Sequence, residues 1–550
     1  MSYTLQQLPP GSPSPPGIVT CFLLGIYTSA GCWGHGPGLA PPNPPHPPAL
    51  VVMVVVDQGR GDMLERLEPH LQTGGLDYFR RQGAWFENAH YSYLVTTTAP
   101  GHATLATGHF PSEHGIVGNT WREGQTEVVA SVDARGVTGP GNLRVHGISD
   151  ELKRLSPMSR VISLSLKARG AVLLGGESAD NVYWFNGETP AFVGKTGGGS
   201  KPVWLNTFNS SGRIQRDLGA VWQPVLPVSF LENTAGPDNC VGETEGRGIT
   251  RTFPHALNTG GGAPYPVTLV HSPFGNDLLL DFALAAIEGE GLGRDETPDL
   301  LTVSLSSADL VGHLYGQQSW EYLDMAARLD LALANFISQV QARVGEDRVG
   351  FVLAADHGGA WIPECAPPNA AAGRVYYHAV EQAAEDAITR ELGPPPPGTK
   401  WVAAFDDPAL YLNVPDGVDA SRVKSLAREG LLKLPGMADA CDPLTPSGPW
   451  EEACRRSAAP GRSPSLFLIP LPGYIFSEEV YHGMGTTHGT PHPYDSWILL
   501  SFVGPGIRPG LHPELVDPVS CAPTLLRWLG QDPSTLSPSP VLPVFIPTGR

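Results

Sequence analysis

Three apolar runs rich in β-branched residues stand out along the chain: ALVVMVVVD at 49–57, DLLTVSLSSAD at 299–309 and RVGFVLAADHGG at 348–359. Their apolar side chains are not confined to alternate positions. A strand of that kind is covered on both faces, the condition of a parallel sheet between helical layers. Helical periodicity fills the intervals, as in NDLLLDFALAAIEG at 276–289 and SWEYLDMAARLDLALANFISQVQARV at 319–344, and a further apolar run, WILLSFVGPG, begins at 497. The pattern predicts an α/β fold: a doubly wound, mostly parallel sheet flanked by helices. All three runs carry an Asp at their ends. A parallel sheet gathers its C-terminal strand ends along one edge, where ligands bind, so Asp57, Asp309 and Asp356 can converge from distant parts of the chain. Taken singly, each is equally a turn or cap residue.

Two stretches break the alternation, at about 120–275 and about 360–485. Both are rich in Gly, Pro and aromatic residues, as in YWFNGETPAFVGKTGGGSKPVWLNTFN. They predict large loop-rich insertions over the ligand-binding edge of the sheet, within one domain spanning 49–545.

The segment TTTAPGH at 96–102 sets three hydroxyls before a helix start. Pro100 suits the first helical position, which makes Thr98 or Ala99 the flanking residue. A hydroxyl there lies beside free backbone N–H groups and the positive end of the helix dipole, where anions bind. On its own Thr98 reads equally as a helix cap.

Metal-ligand spacing appears further along. Asp309 and His313 stand i, i+4 in SADLVGHLYG, on one face of a helix if one starts there. Asp356 and His357 are adjacent in AADHGG, and His488 lies in GTTHGTPHPYDSW. With Asp57 these make three carboxylates and three imidazoles, enough for two metal sites with positions left open for substrate. Imidazole in that proportion favours Zn²⁺, with Mn²⁺ or Fe as alternatives. His492, three residues before Asp495, reads as an ordinary surface or satisfied core histidine.

Composition narrows the classes. The net charge of −19, from 54 acidic and 35 basic residues, leaves no footprint for nucleic acid as a stable partner. A small anionic substrate at one locally positive site remains compatible. Gly 65 and Pro 56 beside 41% hydrophobic residues point to long loops in a folded protein. Residues 1–48 hold no Lys, Arg, Asp or Glu, an apolar run IVTCFLLGIYTSAG too short to span a bilayer, and a Pro-rich end. They are expected to be a signal leader and linker of a periplasmic or secreted protein, although a basic n-region is missing. Ser29-Ala30-Gly31-Cys32 makes lipid anchoring an alternative. Past the leader, Cys240, Cys365, Cys441, Cys454 and Cys521 show no metal-type spacing. Cys441 and Cys454 are candidates for a short disulfide loop, and the odd number leaves at least one thiol, expected as a buried small hydrophobe.

DQGR at 57–60, TTTAPGHATLATG, HGIVGNTW at 114–121, SADLVGH, AADHGG and THGTPHPYD occur in one order, joined by ADNVYWF, SPFGNDLLLDFALAAI and a closing GPGIRPG…APTLLRWLG. Over about residues 49–530 the chain thereby resembles the alkaline phosphatase superfamily, in its branch with a threonine nucleophile. That branch includes the bacterial phosphate-irrepressible alkaline phosphatases and, further off, the nucleotide pyrophosphatase/phosphodiesterases. The resemblance implies one zinc held by Asp57, Asp356 and His357 beside the nucleophile Thr98, and a second held by Asp309, His313 and His488. It implies that Asn119 contacts a phosphoryl oxygen and that Lys167 and Arg169 form the clamp of the monoesterase type, which diesterases generally lack. Read alone, these two basic residues are the solvated face of an alternating SLSLKAR strand. The expected activity is hydrolysis of phosphate monoesters through a phosphothreonine intermediate, by a monomer, with an oligomer as the alternative. The alternatives are a phosphodiesterase or nucleotide pyrophosphatase on the same fold, and a phosphate-binding envelope protein without turnover. FVGKTGGGS departs from the family in lacking a Tyr-rich run after the YWF segment.

Overall fold

A computed structural model describes residues 46–547, apart from 197–200, 245–248, 258–263, 368 and 479–484. Residues 1–45 of the expected leader, Cys32 included, lie outside the described residues, as does the glycine run at 197–199.

The central strand is β1 (Leu50–Val56), and all seven of its residues are buried. The other strands of its sheet are β2 (Ala84–His90), β3 (Val161–Ser165), β4 (Asn181–Asn186), β5 (Ala191–Thr196), β6 (Asp299–Leu305), β7 (Val349–Ala354), β8 (Trp497–Ile498), β9 (Leu500–Val503) and β10 (Gly510–Val516). Their order is β8-β2-β9-β7-β1-β6-β3-β4-β5, with β10 along β2. The five strands from β7 to β4 run parallel, and antiparallel β9 and β5 flank them. β1 is in register with both neighbours, Val54 opposite Val303 on one side and Leu353 on the other.

Because successive side chains of a strand point to opposite faces, β1 feeds two cores. Leu50, Val52, Val54 and Val56 join a cluster with Leu278, Phe282, Leu329 and Phe336. Val51, Met53 and Val55 join another with Ala99, Ala103, Leu525 and Trp528. The first cluster brings in helices α3 (Pro273–Glu290) and α5 (Trp320–Val344). The second brings in α1 (Thr98–Thr107), α2 (Ala168–Gly175) and α8 (Cys521–Trp528). The result is the expected helix–sheet–helix sandwich. Among the described residues no helix is long and apolar enough to cross a membrane.

The two interruptions differ from expectation. The first supplies β3, β4 and β5 to the main sheet. At five residues with serines at Ser163 and Ser165, β3 is too short and too polar to register as a buried run, yet every one of its residues is buried. The second contains a four-stranded antiparallel sheet, Val402–Asp406, Ala409–Leu412, Leu466–Pro470 and Met437–Cys441 in spatial order. Helices α6 (Tyr377–Leu392) and α7 (Ala420–Leu431) cover it, around an apolar cluster that includes Ile388, Phe405, Leu426 and Leu468. That stretch is a small folded layer with its own core, more than loop material. Cys441 and Cys454 are joined in a disulfide, Cys240 and Cys365 form a second one, and Cys521 is a free thiol. Burial pushes the Cys521 thiol up to about 12, as befits an inert core residue.

Candidate active site and metal centre

The parallel register delivers three carboxylates to one edge. Asp57 directly follows β1, its N–H bonded to Leu305 O at the end of β6 (3.1 Å). Asp356 lies two residues beyond β7. Asp309 was expected at a strand end, but β6 stops at Leu305 and Asp309 sits in the first turn of α4 (Ser307–Tyr315). His313, one turn further along α4, points its Nε2 to 3.3 Å from Asp309 Oδ1. His488 Nε2 comes within 3.4 Å of the same oxygen. His357 Nε2 lies 3.3 Å from Asp57 Oδ1, 3.4 Å from Asp356 Oδ2 and 3.5 Å from Thr98 Oγ1. The His357 and His488 rings stack with centroids 3.6 Å apart, so the two sets of groups share a wall.

Two ligand groups thus have donor atoms within 4.8 Å of one another: Asp309, His313 and His488, and Asp57, Asp309 and His357. The first is the triplet expected from the sequence. The second has Asp309 where Asp356 was expected. Asp356 stays adjacent, but its Oδ1 accepts the Gln58 N–H (3.1 Å) and His102 Nδ1 lies 3.0 Å from its Oδ2.

The imidazoles are oriented for ligation. His357 Nδ1 donates to Gly358 O (2.8 Å), His313 Nδ1 to Thr486 O (2.9 Å) and His488 Nδ1 to Thr96 O (2.9 Å). A carbonyl can only accept, so each Nδ1 carries the proton and, in the neutral ring, each Nε2 lone pair faces the carboxylates. Buried Asp57 Oδ1 and Asp356 Oδ2 have no hydrogen-bond partner among the described residues. Orphaned carboxylate oxygens beside inward imidazole nitrogens are a donor set that fits borderline divalent metals such as zinc.

The electrostatics agree. Burial and neighbouring Asp309 oppose ionisation of Asp57, yet Lys167 and His357 outweigh them and hold its carboxyl well below the usual range. Burial opposes ionisation of Asp309 too, and His313 and Lys167 reverse it. Burial and the charge of Asp57 raise Asp356. Burial disfavours imidazolium at His357, but Asp356 and Asp57 raise it to about 9, whereas burial and the His357 charge push His488 down to about 3. This carboxylate cluster attracts cationic charge.

Thr98 is the first residue of α1, with Thr97 at the cap and Pro100 at the third position. The expectation of Pro100 at the first position is therefore off by two. The missing proline N–H still costs nothing, because the first turn has no intrahelical acceptors for its donors. Gly101 lets this turn lie against the strand end: a Cβ there would collide with the Asp356 carbonyl. Asn119 Oδ1 accepts the Ala99 N–H (2.9 Å), which leaves its Nδ2 as the outward donor.

Lys167 and Arg169 are not on a solvated strand face. β3 ends at Ser165, Lys167 caps α2 and Arg169 lies in its first turn. The Lys167 ammonium bridges Asp57 Oδ2 (2.6 Å) and Asp309 Oδ2, and its side chain is 12% exposed. Arg169 Nε is buried without a hydrogen-bond partner among the described residues. His492 is buried and satisfied by Pro470 O (2.8 Å), as read from the sequence.

Two residues at the site carried no role in the sequence reading. His102, one turn after Thr98, places Nδ1 2.8 Å from Thr98 O and Nε2 2.8 Å from Ser304 Oγ. Its i, i+4 spacing from Thr98 was the available signal. Gln58 contacts both Asp356 and Asp309. Nothing in the string DQGR signals that.

A sequence model of the type I phosphodiesterase/nucleotide pyrophosphatase family matches residues 51–494. Alkaline phosphatase PhoV of Synechococcus elongatus is 31% identical over 511 residues, covering 88% of this chain and 91% of its own. Alkaline phosphatase PafA of Elizabethkingia meningoseptica is 29% identical, with 95% of this chain and 98% of its own covered. The crystal structure of wild-type alkaline phosphatase PafA superposes with a TM-score of 0.78 at 28% identity, over 88% of this chain and 96% of that one. With the family match spanning Asp57, Asp309 and Asp356 and the same fold in PafA, this chain belongs to the type I phosphodiesterase/nucleotide pyrophosphatase family.

Proposed function

We propose that the protein hydrolyses phosphate monoesters at a two-zinc centre, through a phosphothreonine formed on Thr98, and releases inorganic phosphate. The observation that carries this reading is the placing of Thr98 Oγ1, buried at the start of α1 and 3.5 Å from the Nε2 of a candidate ligand, His357. Asp57, His357 and the adjoining Asp356 would hold one cation, and Asp309, His313 and His488 the other. Bound there, divalent zinc supplies Lewis acidity to the threonine alcohol and to the departing oxygen.

The chain's own groups perform the rest. Thr98 Oγ1 attacks phosphorus in line, its proton passing to solvent as the ester P–O bond breaks and the leaving alcohol takes a proton from water. A water then attacks the phosphothreonine from the opposite side and restores the hydroxyl. The start of α1 favours the incoming anion. Asn119, with its Oδ1 held by Ala99, presents Nδ2 to an equatorial oxygen, and Lys167 and Arg169 add positive charge around the others. Three aspartates do not cancel two divalent cations, and the two basic side chains enlarge the positive excess. A dianionic monoester matches that field better than a monoanionic diester.

The family description keeps a diesterase as the second reading. The kcat/KM ratio for an aryl phosphate against its methyl diester decides between them: we expect the monoester to lead by orders of magnitude. Lys167→Ala and Arg169→Ala should each lower monoester turnover about 10²-fold or more and diester turnover far less. Equal losses on both substrates would remove the clamp from the reading. The two disulfides suit an oxidising compartment and support a periplasmic or secreted location.

A further inference from the structure

Gln58 is the only non-glycine residue with positive φ (66°) among the described residues, and it is fully buried. Long side chains rarely adopt that conformation, which glycine takes freely, so something must hold this one there. Its backbone carbonyl accepts from Tyr322 OH (2.7 Å) and Gln317 Nε2 (3.1 Å). Gln317 Nε2 also donates to Gln58 Oε1 (3.0 Å), which fixes the amide orientation, and Gln58 Nε2 then donates to Asp309 Oδ1 (3.0 Å). The backbone N–H donates to Asp356 Oδ1 (3.1 Å). Gly312 clears room for this side chain, since a Cβ there would collide with Gln58 Oε1.

One residue therefore holds a carboxylate on each side of the centre. Asp309 Oδ1 is also the oxygen facing His313 and His488, so the amide engages one side of it and leaves its remaining lone pair toward the imidazoles. The N–H on Asp356 Oδ1 leaves Oδ2 turned toward His357. A glycine at 58 would relax the backbone and keep the second bond, but could not make the first. We propose that Gln58 is a positioning residue that sets the separation of the two metal-binding halves, its N–H orienting Asp356 and its amide orienting Asp309. This rests on the two-metal reading above.

The test compares Gln58→Met, which keeps length and deletes the amide, with Gln58→Gly, which keeps the N–H and relaxes the backbone. Zinc affinities are read by competition with a chromophoric chelator, beside the melting temperature of the metal-free protein and the separate kcat and KM at saturating zinc. Loss of an outer hydrogen bond to a ligand typically weakens metal binding about 10–100-fold. The wild type is expected to bind two zinc ions. Both variants should loosen one of them by that factor and hold the other nearly as before, with kcat lowered more than KM is changed. Gln58→Gly should do so with a metal-free melting temperature no lower than wild type, which a merely structural role would not give. Should Gln58→Met fail to fold, Gln58→Gly carries the same readouts on a relaxed backbone. Wild-type affinity for both ions in the variants would overturn this inference alone. A wild type that binds no zinc would overturn the two-metal reading and this inference with it.

Discussion

At the scale of single residues, Thr98 and His357 carry the tests of the proposed chemistry. If Thr98 is the nucleophile, Thr98→Ala should abolish acid-stable incorporation of labelled phosphate and lower kcat about 10³-fold or more, while zinc content stays at wild type. Labelling at wild-type level would assign the nucleophile elsewhere. His357 makes a second prediction. Its raised value of about 9 means that the metal-free protein carries imidazolium there at neutral pH, and a ligand must be neutral. Zinc binding near pH 7.5 should therefore release about one proton more from this group than binding above pH 10. Calorimetry in buffers of different ionisation enthalpy measures the difference, and equal release at both values would contradict it. The candidate ligands could be picked out in the sequence because spacing and adjacency, Asp309 with His313 and Asp356 with His357, are local properties. Gln58 and His102 act through partners such as Asp356 and Ser304, 298 and 202 positions away, and a string of letters does not carry those distances.

At the scale of elements, the loops beneath the histidines are cross-linked. Cys240–Cys365 joins the two interrupting stretches beside the segment that turns toward His488. There Gly485 N–H donates to Gly242 O (2.9 Å), Thr486 N–H to His313 O (2.9 Å) and Thr486 Oγ1 to Trp361 O (3.0 Å). Since Thr486 O fixes His313 Nδ1, slackening this knot should reach the candidate metal site. Cys240→Ser with Cys365→Ser is expected to speed zinc loss to chelator, whereas Cys441→Ser with Cys454→Ser should cost about 2–4 kcal/mol of stability with little change in that rate. Equal chelation rates in both double variants would count against the coupling. Elements were legible where apolarity was continuous, as in β1, β6 and β7. β3 was hidden by its serines and its brevity, and the four-stranded sheet by strands of four or five residues set among glycines and prolines. There the tertiary layer, more than local pattern, decides the structure.

For the whole molecule, apolar strands covered on both faces make the centre of the sheet, and PafA shares the fold built on it. Val54 tests the dependence. It is fully buried at the middle of the central strand, between Val303 and Leu353. Val54→Ala should cost about 2 kcal/mol, read as a shift of the denaturant midpoint, with kcat at saturating zinc nearly unchanged in the folded fraction. A large loss of kcat at unchanged stability would mean that the strand tunes the site as well as carrying it.

The position of β1 at the centre of the sheet has a consequence for biosynthesis. β1, the first strand among the described residues, pairs with segments that leave the ribosome some 250 and 300 residues later, and His488 follows later still. No nascent fragment short of that histidine holds the whole candidate ligand set, so on the two-metal proposal loading waits until His488 is made. Until those partners are made β1 stays unpaired and the core unfinished, an exposed apolar strand that is prone to aggregate.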